Sequence, residues 1–228
     1  IYLRNGIERD YYYERLREKV KFVLIGCKES FRNCFCVSMD SNKSDNYSMA
    51  INLRDDEIYL DIKDSFLDIF EGEACDFEVD YVKENIINLE VPENINPVEL
   101  SKHPMWDEYD ARCIACGKCN FVCPTCTCFT MQDITYKDNK NAGERRRVWA
   151  SCHVDGYTDM AGGHSFRKEK GQKMRFKTLH KVYEYKKKWG YHMCVGCGRC
   201  DDICPEYISF STIVNKLEGA MNEVKNND

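Results

Sequence analysis

The chain has 228 residues, 43% hydrophobic and 12% aromatic. That is enough apolar material for one large or two modest packed domains and too much for wholesale disorder; no apolar run approaches the ~20 residues a membrane-spanning helix needs, and no secretory signal is visible. The net charge of −5 is unevenly spread: residues 1–110 carry 13 Lys+Arg against 25 Asp+Glu, whereas residues 137–190 carry 15 against 6. Regions of opposite sign fit docking between proteins or between parts of one chain, and fit a set of solvated faces as well. A basic stretch alone can mark a nucleic-acid binder, but no nucleic-acid and no membrane partner is expected here.

In chain order, the sequence opens on Ile1 inside IYLRNG rather than on methionine, and we expect the native start to lie upstream. ERDYYYERLREKV (8–20) has helical spacing, with Tyr11, Tyr12 and Tyr13 read as a packing stripe rather than a flavin platform; KFVLIG (21–26) follows as a short strand. YSMAINL (47–53) and EIYLDI (57–62) alternate apolar and polar residues, so RDDE predicts a hairpin turn. Residues 64–90 are acidic and ambiguous. VPENINPVEL (91–100), with its two prolines, is the best linker, which places a boundary near Asn96. The expected fold is α+β: an amino-terminal α/β-type domain over 1–95, truncated at its start, then a bacterial-ferredoxin-like dicluster domain over 96–228 with a helical insertion between its two cysteine motifs. In that insertion RVWASC is expected to be extended. GQKMRFKTLHKVYEYKKKWG (171–190) predicts a helix with Met174, Thr178, Leu179, Val182 and Tyr183 near one face and Gly190 closing it. STIVNKLEGAMNEV predicts a last helix.

Fifteen cysteines, with nothing pointing to export, read as free thiols in a reducing cytoplasm rather than as a disulfide scaffold. Eight of them form an internal repeat. Cys113, Cys116, Cys119 and Cys123 recur 81 residues later as Cys194, Cys197, Cys200 and Cys204, and each run ends in Cys-Pro. The spacing C-x2-C-x2-C-x3-C-P is that of bacterial ferredoxins: three close thiolates bind one 4Fe–4S cluster, while the fourth, carried away at the proline, ligates the other. By that rule Cys113, Cys116, Cys119 and Cys204 hold one cluster, and Cys194, Cys197, Cys200 and Cys123 hold the second. Gly117, Gly196 and Gly198 would let backbone amides approach the sulfurs. A zinc site calls for paired C-x2-C units and explains neither the third cysteine nor the proline. Such cluster pairs pass single electrons; bracing the fold is the bland alternative.

Seven thiols remain. Cys126 and Cys128 are expected on the first turn of a helix after Cys123-Pro124, supplying S–H contacts to a cluster, packing as small hydrophobes, or reaching another metal with Cys152. Cys27, Cys34 and Cys36 sit in a loop after a strand and suggest a third cluster, with Cys75 or a residue upstream as fourth ligand; inert thiols are the alternative. His153 and His164 are read as ordinary surface or core histidines. No G-x-G-x-x-G, Walker loop or Ser-His-Asp order is present, so no catalytic residue is proposed.

RCIACGKCNFVCPTCTCFTMQD, then WASC, AGGHSFR and the run on to CVGCGRCDDICPEYISFS, together resemble the dicluster electron-transfer subunit of the anaerobic (dissimilatory-type) sulfite reductases. More loosely, they are similar to the beta subunit of cytoplasmic sulfhydrogenases, and GCKESFRNCFCVSM fits the same relatives. The resemblance implies a relay inside a three-subunit enzyme: a flavin- and NAD(P)H-linked polypeptide supplies electrons, and a sirohaem-bearing one takes them to reduce sulfite to sulfide. It also implies a third cluster in the amino-terminal part. The same relay serving a hydrogenase or another anaerobic oxidoreductase is the second reading, and a non-redox Fe–S or zinc module the third. The basic segment from Arg167 to Lys188 is expected to be a docking face for an acidic partner.

Overall fold

Alternating apolar and polar residues in MAINLR and EIYLDI build the first sheet, and they do so in the register that the intervening turn imposes. The computed structural model describes residues 9–63 and 66–226, so the opening IYLRNG lies outside the described residues. Strand β1 (Val23–Ile25) pairs in parallel with β2 (Met49–Arg54), which pairs antiparallel with β3 (Glu57–Ile62). Arg54 faces Glu57 across the turn, and Asp55 takes the left-handed conformation (φ 48°) that such two-residue turns require. Ahead of the sheet, α1 (Tyr11–Arg17) is capped by the Asp10 carboxylate, which accepts from Tyr13 N at 2.9 Å. It buries none of its residues, so the tyrosines do not form the packing stripe their spacing suggested.

The described part of the acidic segment 64–90 has no helix or strand; side-chain amides hold it instead. Buried Asn52 donates to Glu78 O (2.7 Å) and accepts from Asp80 N (3.1 Å). Asn42 donates to Val82 O (2.8 Å), and Asn85 accepts from Val37 N (2.8 Å). Each amide satisfies backbone groups that a ladder would otherwise serve.

Beyond Asn96, whose side chain caps α2 (Pro97–Leu100), a 3-10 turn (Pro104–Trp106) leads into α3 (Asp107–Arg112) and the first cysteine motif, which carries α4 (Lys118–Phe121). The insertion begins as a hairpin, β4 (Phe129–Thr135) with β5 (Gly143–Trp149), so RVWASC is extended as far as Trp149. It ends as a helix whose backbone changes pitch: α5 (Lys170–Leu179), a π turn over His180–Glu184, then α6 (Tyr185–Trp189), closed by Gly190 at φ 84°. The second motif carries α7 (Arg199–Asp202), and α8 (Phe210–Asn226) follows it.

Apolar residues of α8 recur at helical spacing (Phe210, Ile213, Val214, Leu217, Met221) and face one core with Leu100, Trp106, Tyr109, Met174, Leu179 and Val182. Phe35, Met39, Leu89 and Ile95 belong to that same core, so residues from both sides of Asn96 pack together. Gly171 allows α5 to approach α3; a Cβ there would lie 2.4 Å from Trp106 O. Phe35 is 1% exposed, and Phe35→Ala is expected to destabilise the protein by about 3–5 kcal/mol. Chemical denaturation should show the loss in signals from both parts of the chain, not from the amino-terminal part alone.

Candidate metal centre

The two cysteine motifs repeat in conformation as well as in sequence. Ala115 and Gly196, 81 residues apart, are both left-handed (φ 54° and 60°), as are Gly117 and Gly198 (74° and 68°). In each motif the amide two residues after the first cysteine turns back on its sulfur: Ala115 N lies 3.4 Å from Cys113 Sγ, and Gly196 N lies 3.4 Å from Cys194 Sγ. Ile208 N donates likewise to Cys204 Sγ at 3.3 Å. Such amide-to-sulfur bonds favour the thiolate over the thiol.

Two adjoining cavities open between the motifs. One is lined by Cys113, Cys116 and Cys119 of the first motif and by Cys200 and Cys204 of the second. The other is lined by Cys194, Cys197 and Cys200 together with Cys119 and Cys123. Cys204 therefore faces the first trio and Cys123 the second, while Cys119, Lys177, Cys200 and Phe210 form the shared wall. Among the described residues no three His, Cys, Asp or Glu side chains come together tightly enough for one metal ion.

The surroundings suit a buried, negatively charged group. His153 is buried in the wall of the first cavity with Nε2 unpartnered among the described residues. Burial, and the charges of Lys177 and Lys173, push its pKa down to about 3, so it faces the cavity as a neutral imidazole. Burial raises the thiols of Cys113, Cys194 (to about 11) and Cys200. Iron supplies the positive charge that would keep these sulfurs ionised. Lys177 and Lys181, buried on successive helical turns, supply more: Lys181 Nζ is 3.2 Å from Cys123 Sγ and 3.3 Å from Thr125 Oγ1. Burial alone would lower both lysines, yet their pKa values are raised, by the neighbouring sulfurs of Cys119 and Cys200 for Lys177 and of Cys123 for Lys181. The basic segment 167–188 is thus divided. Lys173, Lys177 and Lys181 face inward, and only its remaining cations, Lys186, Lys187 and Lys188 among them, are available to a partner.

Cys126 and Cys128 are not on a helix. The chain turns after Pro124, with Cys126 N donating to Cys123 O at 3.1 Å, and enters β4 directly. Their sulfurs lie in a row of neighbours from Cys123 through Cys126 and Cys128 to buried Cys152, which accepts from Asn120 Nδ2 at 3.0 Å. His164 is exposed, its ring edge-on to Phe166.

Cys27, Cys34 and Cys36 line one open cavity that also reaches Cys197 of the second motif. Cys34 Sγ lies 3.7 Å from Cys197 O, and Asn85 Nδ2 lies 3.6 Å from Cys36 Sγ. Cys75 does not line that cavity; it is exposed and lies near Tyr59 of β3. Loop 31–36 clasps the second motif closely: Phe35 N donates to Gly196 O at 2.7 Å, and a Cβ on Gly198 would meet Asn33 O at 2.2 Å. The glycines therefore serve this contact as well as the sulfurs. Lys177 and Lys181 were not singled out in the sequence, and His153 was read only as an ordinary surface or core histidine. The signal was a lysine every fourth residue, 173, 177 and 181, running beside Met174, Thr178 and Val182.

A family model for a 4Fe-4S dicluster domain matches residues 112–208. The chain is 28% identical to the beta subunit of Sulfhydrogenase 2 from Pyrococcus furiosus, over 95% of this chain and 68% of that relative. No solved structure matches the chain. Two 4Fe–4S clusters are its cofactors. Anaerobic reconstitution is expected to yield about eight iron and eight acid-labile sulfide per chain, measured by iron and sulfide analysis; zinc without sulfide would contradict it.

Proposed function

We propose that this chain is an electron-relay subunit of an anaerobic oxidoreductase complex. One observation carries the reading: two cavities share a wall, and each is lined by three cysteines of one motif and by the third and fourth of the other. Cys113, Cys116, Cys119 and Cys204 would hold one cluster, and Cys194, Cys197, Cys200 and Cys123 the other. Bound there, the clusters supply one-electron chemistry at potentials anywhere from about −700 to +450 mV. The protein's residues do the rest. Ile208, Phe210, Ile213 and Met174 keep water from the first cavity; the amides of Ala115, Gly196 and Ile208 bond sulfurs; Cys119 and Cys200 hold the centres close. Cys27, Cys34 and Cys36, beside Cys197, are suited to extend the relay as a third cluster, with its fourth ligand unassigned.

The partners follow by two routes. The PTCTCF, WASC and AGGHSFR segments support a sulfite reductase, with a flavin- and NAD(P)H-linked subunit giving electrons and a sirohaem subunit taking them. The sulfhydrogenase relative supports a hydrogenase-type complex at least as well. In both, exposed Lys186, Lys187 and Lys188 at the end of the basic helix are a docking point for an acidic partner.

Purifying the native assembly without oxygen and identifying its other polypeptides decides between the two: sirohaem marks the first, a hydrogenase subunit the second, and a chain isolated alone with no redox partner counts against a relay. Reversing the charge of Lys186, Lys187 and Lys188 together should weaken assembly and reduce its salt dependence, measured by co-purification across a salt series. The crossed ligation has its own test. Cys113→Ala with Cys204→Ala, and Cys194→Ala with Cys123→Ala, should each leave one intact four-iron cluster. Cys113→Ala with Cys123→Ala should leave none; the opposite pattern, read by iron analysis and EPR, means that each motif ligates its own cluster.

A further inference from the structure

The two cavities have different electrostatic settings. Around the first, two cations (Lys118, Lys177) are matched by two carboxylates (Asp201, Glu206). The charged lining residues of the second are Lys177 and Lys181; Asp201 also reaches one of its sulfurs, with Oδ1 3.4 Å from Cys200 Sγ, so the settings differ by Lys181 on the second side and by Lys118 and Glu206 on the first. Both lysines are buried, 5% and 3% exposed, and Lys181 makes a charge-assisted bond to Cys123 Sγ at 3.2 Å. The amide bonds run the other way, two sulfurs served in the first cavity (Cys113, Cys204) and one in the second (Cys194). These are neutral dipoles, weaker than a full charge at the same distance.

We infer that Lys177 and Lys181 set the two clusters at unequal potentials, making the one beside Cys123, Cys194, Cys197 and Cys200 the easier to reduce. Reduction adds one electron and no proton to the bound cluster, taken from a one-electron donor such as dithionite. A buried ammonium in contact with the ligating sulfur stabilises the added negative charge, and the dry surroundings leave it weakly screened. Lys177, on the shared wall, acts on both clusters; Lys181 acts on one. Both are positioning residues that act through the ligand sulfurs. The inference rests on the crossed ligation proposed above and adds an order to it: electrons gather on the side that adjoins Cys34 and the loop 31–36.

The anaerobically reconstituted chain, titrated with dithionite and followed by EPR, tests this. The wild type should show two midpoints. Lys181→Met, with about eight irons retained, should lower only the higher one, shifting its reduced-to-oxidised ratio at fixed potential at least tenfold, which is about 59 mV for one electron. Lys177→Met should lower both, and Lys181→Arg should restore the wild-type values. Unchanged midpoints in an eight-iron Lys181→Met protein overturn the inference. A second comparison leaves both lysines in place. The Cys113→Ala, Cys204→Ala protein keeps the lysine-rich cluster and should have the higher midpoint; the Cys123→Ala, Cys194→Ala protein keeps the other. Equal or reversed midpoints overturn the inference even if Lys181→Met fails to hold iron. Failure of either double variant to retain one intact cluster instead rejects the crossed ligation beneath it.

Discussion

Burying many sulfurs that must be ionised is the constraint on which the rest of this structure depends. A thiolate taken out of water is costly unless positive charge or hydrogen-bond donors accompany it. Here iron is the main counter-charge, and the protein adds backbone amides and two ammonium groups from a single helix. The same reasoning explains the lysines. A buried, unpaired lysine would shed its proton, yet Lys177 and Lys181 are held protonated by the sulfurs they face. Each set of charges makes the other tolerable, so the helix and the cysteine motifs stand or fall together.

The helix meets this demand through its change of pitch. At the π turn the Lys181 carbonyl accepts from Met193 N (2.9 Å), and His192 Nδ1 contacts Val182 O at 3.0 Å, which ties the helix to the segment entering the second motif. Single π turns inside helices are often found at functional sites. Here the turn lets one element serve three tasks: Met174, Leu179 and Val182 in the core, Lys177 and Lys181 at the sulfurs, and Lys186 to Lys188 at the surface.

Much of this was legible because the cysteine repeat encodes geometry directly: spacing fixes how many sulfurs can reach one centre, and Cys-Pro fixes where the chain departs. The hairpin about Arg54 to Glu57 and the helix end at Gly190 were legible for a similar reason, since short-range backbone rules decide them. Elsewhere long-range packing decided the outcome. Nothing local says that the turn after Cys123-Pro124 enters a strand, whereas the chain after Cys204-Pro205 proceeds to α8. A lysine beside an apolar stripe reads as surface until its partners, distant in sequence, are known. The acidic segment near residue 80 has no periodicity, because it is fixed by the amides of Asn42, Asn52 and Asn85 rather than by a pattern of its own.

The exchange of a cysteine between motifs bears on the order in which the molecule can be made. If Cys204 completes the set begun at Cys113, a nascent chain that has emerged only as far as β5 offers an incoming inorganic core three sulfurs and an open corner. The missing corner is translated 81 residues after Cys123, just before α8. Neither set of four is then complete before the second motif is made, and chain termination upstream of residue 200 would leave both sets short of a sulfur.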